Sequence, residues 1–339
     1  MNKILKLFDE EFVAELFRRE VLPLYPHYKD IVKLRVKPYK KMVWTTTYHV
    51  VVAYDVFFLK GDGSMSKRHI VCSAHSEEPR ENVFKAMKFL WKSGFRGDGI
   101  DMPRPLFYSA EFNGTFYRGL SGENILRYIK DKNFEKAEKK IILSAKLLSR
   151  LHSVSTENWI KLNPDSVRIK TVIPGIETIK REMSERYKGI YDTEIARIYD
   201  YFMAEEDKLF LSKENFCLIH GDAHLENMID IGEDKLGVID LADICRADFA
   251  RDLGTFIQQL EYKVLTKTGN IEMSEHLKKV FLDNYLAIRK IELSDDLKKR
   301  IQLYYDWTMI RTATYLLLKH DSEPGRGAEL LKRAIEDIK

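Results

Sequence analysis

The stretch His220-Gly221-Asp222-Ala223-His224-Leu225-Glu226-Asn227, followed by Gly237-Val238-Ile239-Asp240, decides how the rest of the chain is read. Asp222 and Asn227 stand five residues apart (227 − 222 = 5), and Asp240 follows thirteen later (240 − 227 = 13). Between them the apolar runs Met228–Ile231 and Leu236–Ile239 flank Gly232-Glu233-Asp234, a strand–turn–strand pattern. Such a hairpin brings its last carboxylate back beside the loop that precedes it. Phosphoryl transfer asks for this set: a carboxylate to accept a hydroxyl proton and orient the nucleophile, and oxygen ligands for Mg²⁺ bridging the phosphates.

Working outward, Ile4, Leu7, Phe8, Phe12, Leu16 and Phe17 recur mostly at three- and four-residue steps, which predicts a packing helix with one buried face. The runs Ile31–Val36, Tyr48–Leu59 and His69–Ala74 are β-branched or aromatic and separated by Pro38 and by Gly61-Asp62-Gly63-Ser64, so three antiparallel strands are expected. A helix over Glu81–Lys92 follows, with Val83, Phe84, Met87, Leu90 and Trp91 on one side. After a loop over Gly94–Pro105, two more strands, Leu106–Phe112 and Thr115–Leu120, surround the Asn113-Gly114 turn. Beyond Gly122 the pattern is helical, including Phe134–His152, Glu275–Ile288 and Leu297–Lys319; only Cys217–Asp240 breaks it. The reading is an α+β chain of two lobes: residues 1–119 form a small lobe with an N-terminal helix, a five-stranded antiparallel sheet and one further helix, and residues 120–339 form a mostly helical lobe with the loop and hairpin.

Composition narrows the function classes. The 339 residues are 45% apolar and 32% charged with 17 Gly and 9 Pro, which excludes a mini-protein and a low-complexity chain. Lys and Arg exceed Asp and Glu by 56 − 52 = 4, too small an excess to call for nucleic acid. Cys72, Cys217 and Cys245 are odd in number and far apart, without disulfide or zinc spacing, so a reducing cytoplasm is expected. The longest apolar run, Tyr48–Leu59, carries Asp55 and is too short for a bilayer. Lys3, Lys6, Asp9 and Glu10 interrupt the first apolar pattern, so neither a signal peptide nor a membrane span is expected.

The sequence H-G-D-x-x-x-x-N followed by I-D resembles the catalytic loop and metal-binding hairpin of the aminoglycoside phosphotransferase and choline kinase superfamily, which has a two-lobed protein-kinase-like fold. Leu147-Leu148-Ser149-Arg150-Leu151-His152 and Asp252-Leu253-Gly254 are similar to two further segments of that family, so the resemblance spans nearly the whole chain. It implies a kinase acting on a hydroxyl of a small molecule with ATP, or GTP, and Mg²⁺. Asp222 would be the catalytic base, His220 a brace for the loop, and Asn227 and Asp240 the metal ligands. Asp243 and Asp248 are expected to be solvated or to cap. Asp252 is expected to cap the helix beginning at Leu253, and His224 to pack or hydrogen-bond.

Two departures stand out. A kinase-like lobe pairs a lysine on its third strand with a glutamate on the next helix; Glu81 is present, but the lysine position holds Cys72 or Ser73. The nucleotide-covering segment between Val36 and Tyr48 has no glycine, yet offers Lys40, Lys41, Thr45 and Thr46, whose charges and hydroxyls suit phosphate oxygens. Lys67 or Arg68 reaching inward, Lys40 or Lys41 substituting from the loop, and weakened or lost ATP binding remain open explanations. On the loop reading, Lys41→Ala raises the KM for ATP more than Lys67→Ala does. Tyr117 and Gly119, in the expected hinge, are expected to contact the nucleotide. The alternative function is a pseudokinase-like binding or regulatory protein. The acceptor side is assigned by analogy to the C-terminal helices and the 157–205 insertion, where Glu261, Asp283 and Asp306 offer charge for an amine. Tyr304, Tyr305, Trp307 and Tyr315 form either an aromatic wall or core packing, the latter favoured by helical spacing.

Overall fold

A computed structural model describes residues 2–78, 80–157, 168–172, 174–212, 214–318 and 323–337. The chain divides into two compact units, Met1–Glu123 with Ile229–Ala242, and Asn124–Met228 with Asp243–Lys339. The division expected at residue 119 thus runs on to Glu123, and the strand–turn–strand hairpin, expected with the helices, belongs to the sheet-rich unit.

In the first unit, α1 (Glu10–Glu20) precedes β1 (Tyr28–Val43), β2 (Tyr48–Lys60), β3 (Met65–His75), α2 (Glu81–Lys92), β4 (Ile100–Asp101), β5 (Arg104–Ser109) and β6 (Gly114–Arg118). Five strands form an antiparallel sheet in the order β1-β2-β3-β6-β5. The expected N-terminal helix is broken at Asp9, because its carboxylate accepts the Glu11 and Phe12 amides at 2.9 Å each and caps α1 there. Pro38 does not separate strands as expected; it lies inside β1, an edge strand where a missing N–H costs no ladder bond, next to a bulge between Pro38 and Lys40. β5 stops at Ser109, short of the expected Phe112, whose side chain is buried in the core while a four-residue loop ends at Asn113 in the left-handed region (φ 44°).

Period-two alternation gives this sheet two unlike faces. Val50, Val52, Tyr54, Ile70, Cys72 and Phe116 pack with Phe17 and Leu16 of α1 into one core. By their pairing registers, the opposite face carries Lys37, Lys40, His49, Asp55, Lys67, His69, Ser73 and Tyr117. A second sheet has the order β4-β10-β9-β7, with β7 at Glu123–Asn124, β9 at Met228–Gly232 and β10 at Lys235–Val238.

The other unit is helical: α3 (Leu126–Lys130), α4 (Phe134–His152), α5 (Ile176–Tyr187), α6 (Asp192–Ser212), α7 (Ala250–Thr268), α8 (Ile271–Arg289), α9 (Asp295–Leu318) and α10 (Pro324–Asp337). Between α6 and α7 lie β8 (Phe216–Ile219) and β11 (Cys245–Asp248), paired antiparallel. Gly254 lets α7 and α9 meet at backbone distance, since a Cβ there would lie 2.6 Å from the Ile301 carbonyl oxygen. Part of the insertion assigned to the acceptor, residues 158–167, lies outside the described residues. Among the described residues no helix is long and apolar enough to cross a membrane.

Candidate active site

β8 delivers the chain into His220-Gly221-Asp222, where Gly221 takes φ +85°, a left-handed turn that favours glycine. The turn is clamped from α7. The buried carboxylate of Asp252 accepts the His220 amide at 2.7 Å and the Gly221 amide at 2.9 Å, and its third partner is His152 Nε2 at 3.0 Å. Because an ionised carboxylate only accepts, Nε2 carries the proton, and in the neutral ring Nδ1 accepts from the Tyr285 hydroxyl at 2.7 Å. Burial raises the Asp252 pKa, but His152 and the loop outweigh it and hold the group below the ordinary carboxylate range. Asp252 therefore does not cap its own helix as expected: its two oxygens are committed to the loop.

His220 is fully buried, and its Nδ1 accepts the Asp222 amide at 3.3 Å. The Asp222 carboxylate stays 31% exposed, with Oδ2 3.4 Å from His224 Nε2 and Oδ1 3.9 Å from Arg311 Nη1 of α9. His224 Nδ1 accepts the Glu226 amide, and its Nε2 lies 3.2 Å from Asn227 Nδ2 as well as beside Asp222. Burial works to raise the Asp222 pKa; His224, then Arg311 and His220, overcome it and keep the carboxylate ionised well below neutral pH. Asn227 is buried, and its Nδ2 donates to the Asp222 carbonyl at 3.0 Å. That bond fixes the amide orientation and leaves Oδ1 as the atom suited to a hard cation.

In the sheet-rich unit, Asp240 follows β10, exposed, with a left-handed backbone (φ +57°) that is uncommon for a residue with a Cβ. The Tyr117 hydroxyl is pushed up by burial and then by the charge of Asp240. The Gly119 amide donates to the His69 carbonyl at 2.9 Å, and a Cβ there would approach the His69 ring at 2.8 Å, so a larger residue would have to displace that ring. Thr45 and Thr46 occupy an exposed turn closed by the Trp44 amide on the Thr47 carbonyl at 2.9 Å. Lys41 is opposite Val50 on the core side, with its Nζ 4.7 Å from the Phe8 ring centroid. Glu81 opens α2, half-exposed, and pairs with Lys85 at 2.9 Å.

Cys72 faces the core, so Ser73 holds the outward position on β3. Across the strands Lys40, Val51, Ser73 and Thr115 form one row, and Lys40 Nζ lies 3.1 Å from His49 Nδ1. Farther along the same face, buried Asp55 binds Lys37 at 2.6 Å, Lys67 at 3.0 Å and His69 at 3.4 Å. Arg68 turns the other way, over Tyr28. Sequence reasoning missed the Asp55 cluster and the Asp252–His152–Tyr285 chain. The Leu147–His152 and Asp252–Gly254 resemblances already held two members of the latter.

Asp248 is buried rather than solvated: it binds Arg300 Nη1 through both oxygens, at 2.6 and 2.8 Å, while keeping the expected cap on the Ala250 amide. Tyr304, Tyr305 and Trp307 are core residues, and only Tyr315 of the four aromatics is exposed. Among the described residues no group of three or more His, Cys, Asp or Glu is arranged to hold a metal. Asn227 and Asp240, in separate units, each carry an oxygen donor of the kind Mg²⁺ takes, one or two protein oxygens completing a shell of phosphates and water.

No curated protein matches the chain. Among solved structures, it is similar to amicoumacin kinase in complex with AMP-PNP and Ca²⁺ (TM-score 0.58, 14% identity, covering 97% of this chain and 94% of that one). It is also similar to aminoglycoside phosphotransferase APH(2'')-Ib bound to ADP (0.54, 17%, 97% and 98%) and to the ethanolamine kinase of Plasmodium vivax (0.52, 15%, 88% and 81%). At these identities the likeness establishes a kinase-like α+β fold. The model of the phosphotransferase enzyme family matches residues 53–283, more than half of the chain, and the chain accordingly belongs to that family.

Proposed function

We propose that the protein transfers the γ-phosphoryl group of ATP to a hydroxyl of a small molecule, with Mg²⁺ and with Asp222 as the base. The observation that carries this reading is the state of Asp222: an ionised, solvent-reachable carboxylate on a loop whose backbone amides are fixed by Asp252. The acceptor hydroxyl gives its proton to the Asp222 carboxylate as its oxygen bonds to the γ-phosphorus, and the bond from that phosphorus to the β-phosphate oxygen breaks, releasing ADP. His220 and Asn227 hold the loop, one through the Asp222 amide and the other through its carbonyl. Asn227 Oδ1 and the Asp240 carboxylate would be the ligands for Mg²⁺, which when bound would supply charge neutralisation to the phosphates. Tyr117, Gly119, Thr45 and Thr46 are assigned to the nucleotide by position. Lys40 replaces Lys41 as the phosphate-binding lysine, because it and not Lys41 shares the face of Ser73.

Asp222→Asn tests the reading. Turnover falls by at least about 100-fold, while ADP still raises the melting temperature. A variant that retains phosphate transfer removes Asp222 from the role. The uncharged Ser73 position favours a second reading, a nucleotide-binding module without catalysis; ATP binding with no phosphorylated product across a broad hydroxyl panel supports it. GTP in place of ATP in the same melting assay tests the donor.

A further inference from the structure

We infer that the acceptor carries an anionic group, a carboxylate or a phosphate ester, and that Arg311 receives it. The inference rests on the reading of Asp222 as the base. Arg311 Nη1 lies 3.9 Å from Asp222 Oδ1, beyond hydrogen-bond reach, and its side chain is 37% exposed. A guanidinium has five N–H donors, and among the described residues none of those of Arg311 makes a hydrogen bond. An acceptor hydroxyl on Asp222 sits about 2.7 Å from the carboxylate, so a group two or three bonds farther along the acceptor falls within reach of that fork. Its planar geometry matches a carboxylate or phosphate.

A cationic acceptor meets the opposite conditions. It is placed against Arg311, and the acids that sequence reading offered to it are already engaged. Glu261 is bound by Lys278 and by Arg333 at 2.7 Å. Asp283 is bound by Lys279, and buried Asp306 accepts from Gln302 at 2.7 Å. Glu226, four residues after the base, pairs with Lys263 at 3.0 Å. Tyr304, Tyr305 and Trp307 are buried, so they present no aromatic cage for an ammonium.

The test measures product formation by the full chain with ATP and Mg²⁺. The acceptors are D-glycerate, gluconate and glycerol 3-phosphate, set against ethanolamine, choline and kanamycin. The expected result is phosphorylation within the anionic set only, and the member used shows whether the group is a carboxylate or a phosphate ester. Arg311→Gln then raises the KM for that acceptor about 10- to 100-fold, the loss of a charged hydrogen-bonded pair, with the KM for ATP within about twofold of wild type. Arg311→Lys recovers part of the loss. Phosphorylation of cationic compounds, of no anionic one, or an equal rise in the KM for ATP overturns the assignment. If no nucleotide is bound or consumed at all, the phosphotransferase reading fails and this inference falls with it; transfer confined to cationic acceptors refutes the inference alone.

Discussion

Replacing Asp252 by Asn removes one atom's worth of charge and leaves the shape, so its cost can be counted from the three donors that converge on the carboxylate. His220 N–H and His152 Nε2 share Oδ2, and Gly221 N–H takes Oδ1. An amide has one accepting oxygen. In its milder orientation the new NH₂ group faces Gly221, so one charge-assisted bond worth about 1.5–3 kcal/mol is lost. The remaining two fall from charged to neutral strength, a further loss of roughly 1 kcal/mol each. The sum is about 3–5 kcal/mol, a large part of the roughly 5–15 kcal/mol that holds a typical protein folded. At about 2–4 °C per kcal/mol the melting temperature drops by roughly 10 °C. The carboxylate's lowered pKa, reached in spite of full burial, says the partners outweigh the burial penalty and that the loss is not recovered by removing the charge. Differential scanning calorimetry of Asp252→Asn, His152→Gln and the double variant measures this. A coupling of at least about 1 kcal/mol between the two sites is expected. A single variant that melts within about 2 °C of wild type, or a coupling near zero, refutes the claim that this carboxylate holds the His220–Asp222 turn.

Three other outcomes are expected. Lys40→Ala raises the KM for ATP at least about tenfold, the worth of one charged phosphate contact, whereas Lys41→Ala leaves it near wild type, because Lys41 rests on Phe8; steady-state kinetics with ATP varied separates the two. Arg300→Leu strands the buried Asp248 carboxylate and costs about 3–5 kcal/mol, read as a lower denaturant midpoint with an unchanged slope. Asp55, Asp222 and Asp252 all have folded pKa values below ordinary ones, so their stabilisation is complete above about pH 4 and is lost as the pH falls through the folded values. Asp248 and Glu206, pushed up by burial, act with the opposite sign, their contribution shrinking as the pH rises through their folded values. Urea midpoints from pH 6 to pH 2.5 fall steeply in wild type and less so in Asp252→Asn.

Features carried by spacing along the chain were legible in the sequence, while those set by facing across it were not. The helices over Glu81–Lys92 and Phe134–His152 end where their apolar periodicity ends. Asp222, Asn227 and Asp240 were singled out because the proposed chemistry imposes short intervals on them. Asp252 looked like a cap because its own helix starts nearby, whereas its partners lie 31, 32 and 100 residues away, a separation no local pattern encodes. Asp55 was noticed only as an interruption of an apolar strand. Its meaning depends on Lys37 and Lys67 arriving from two neighbouring strands, and so on a register that had yet to form.

The choice between Lys40 and Lys41 shows how a single inserted residue changes a functional reading. In an unbroken strand, residues three apart lie on opposite faces, so Lys40 would oppose Lys37. The bulge between Pro38 and Lys40 adds one residue to β1 and restores both lysines to the face that carries Ser73. Strands lie about 4.8 Å apart, so a lysine stem from β1 is long enough to span the neighbouring strand toward Ser73, whose register partner Val51 is also that of Lys40. His49 completes the arrangement: burial first, then the charge of Lys40, brings its pKa down to about 4, so near neutral pH it is uncharged and accepts from the ammonium rather than repelling it. A neutral imidazole at this distance helps to orient Lys40 on the face of Ser73. On the proposed reading, the lysine missing from β3 is supplied from β1, two strands away.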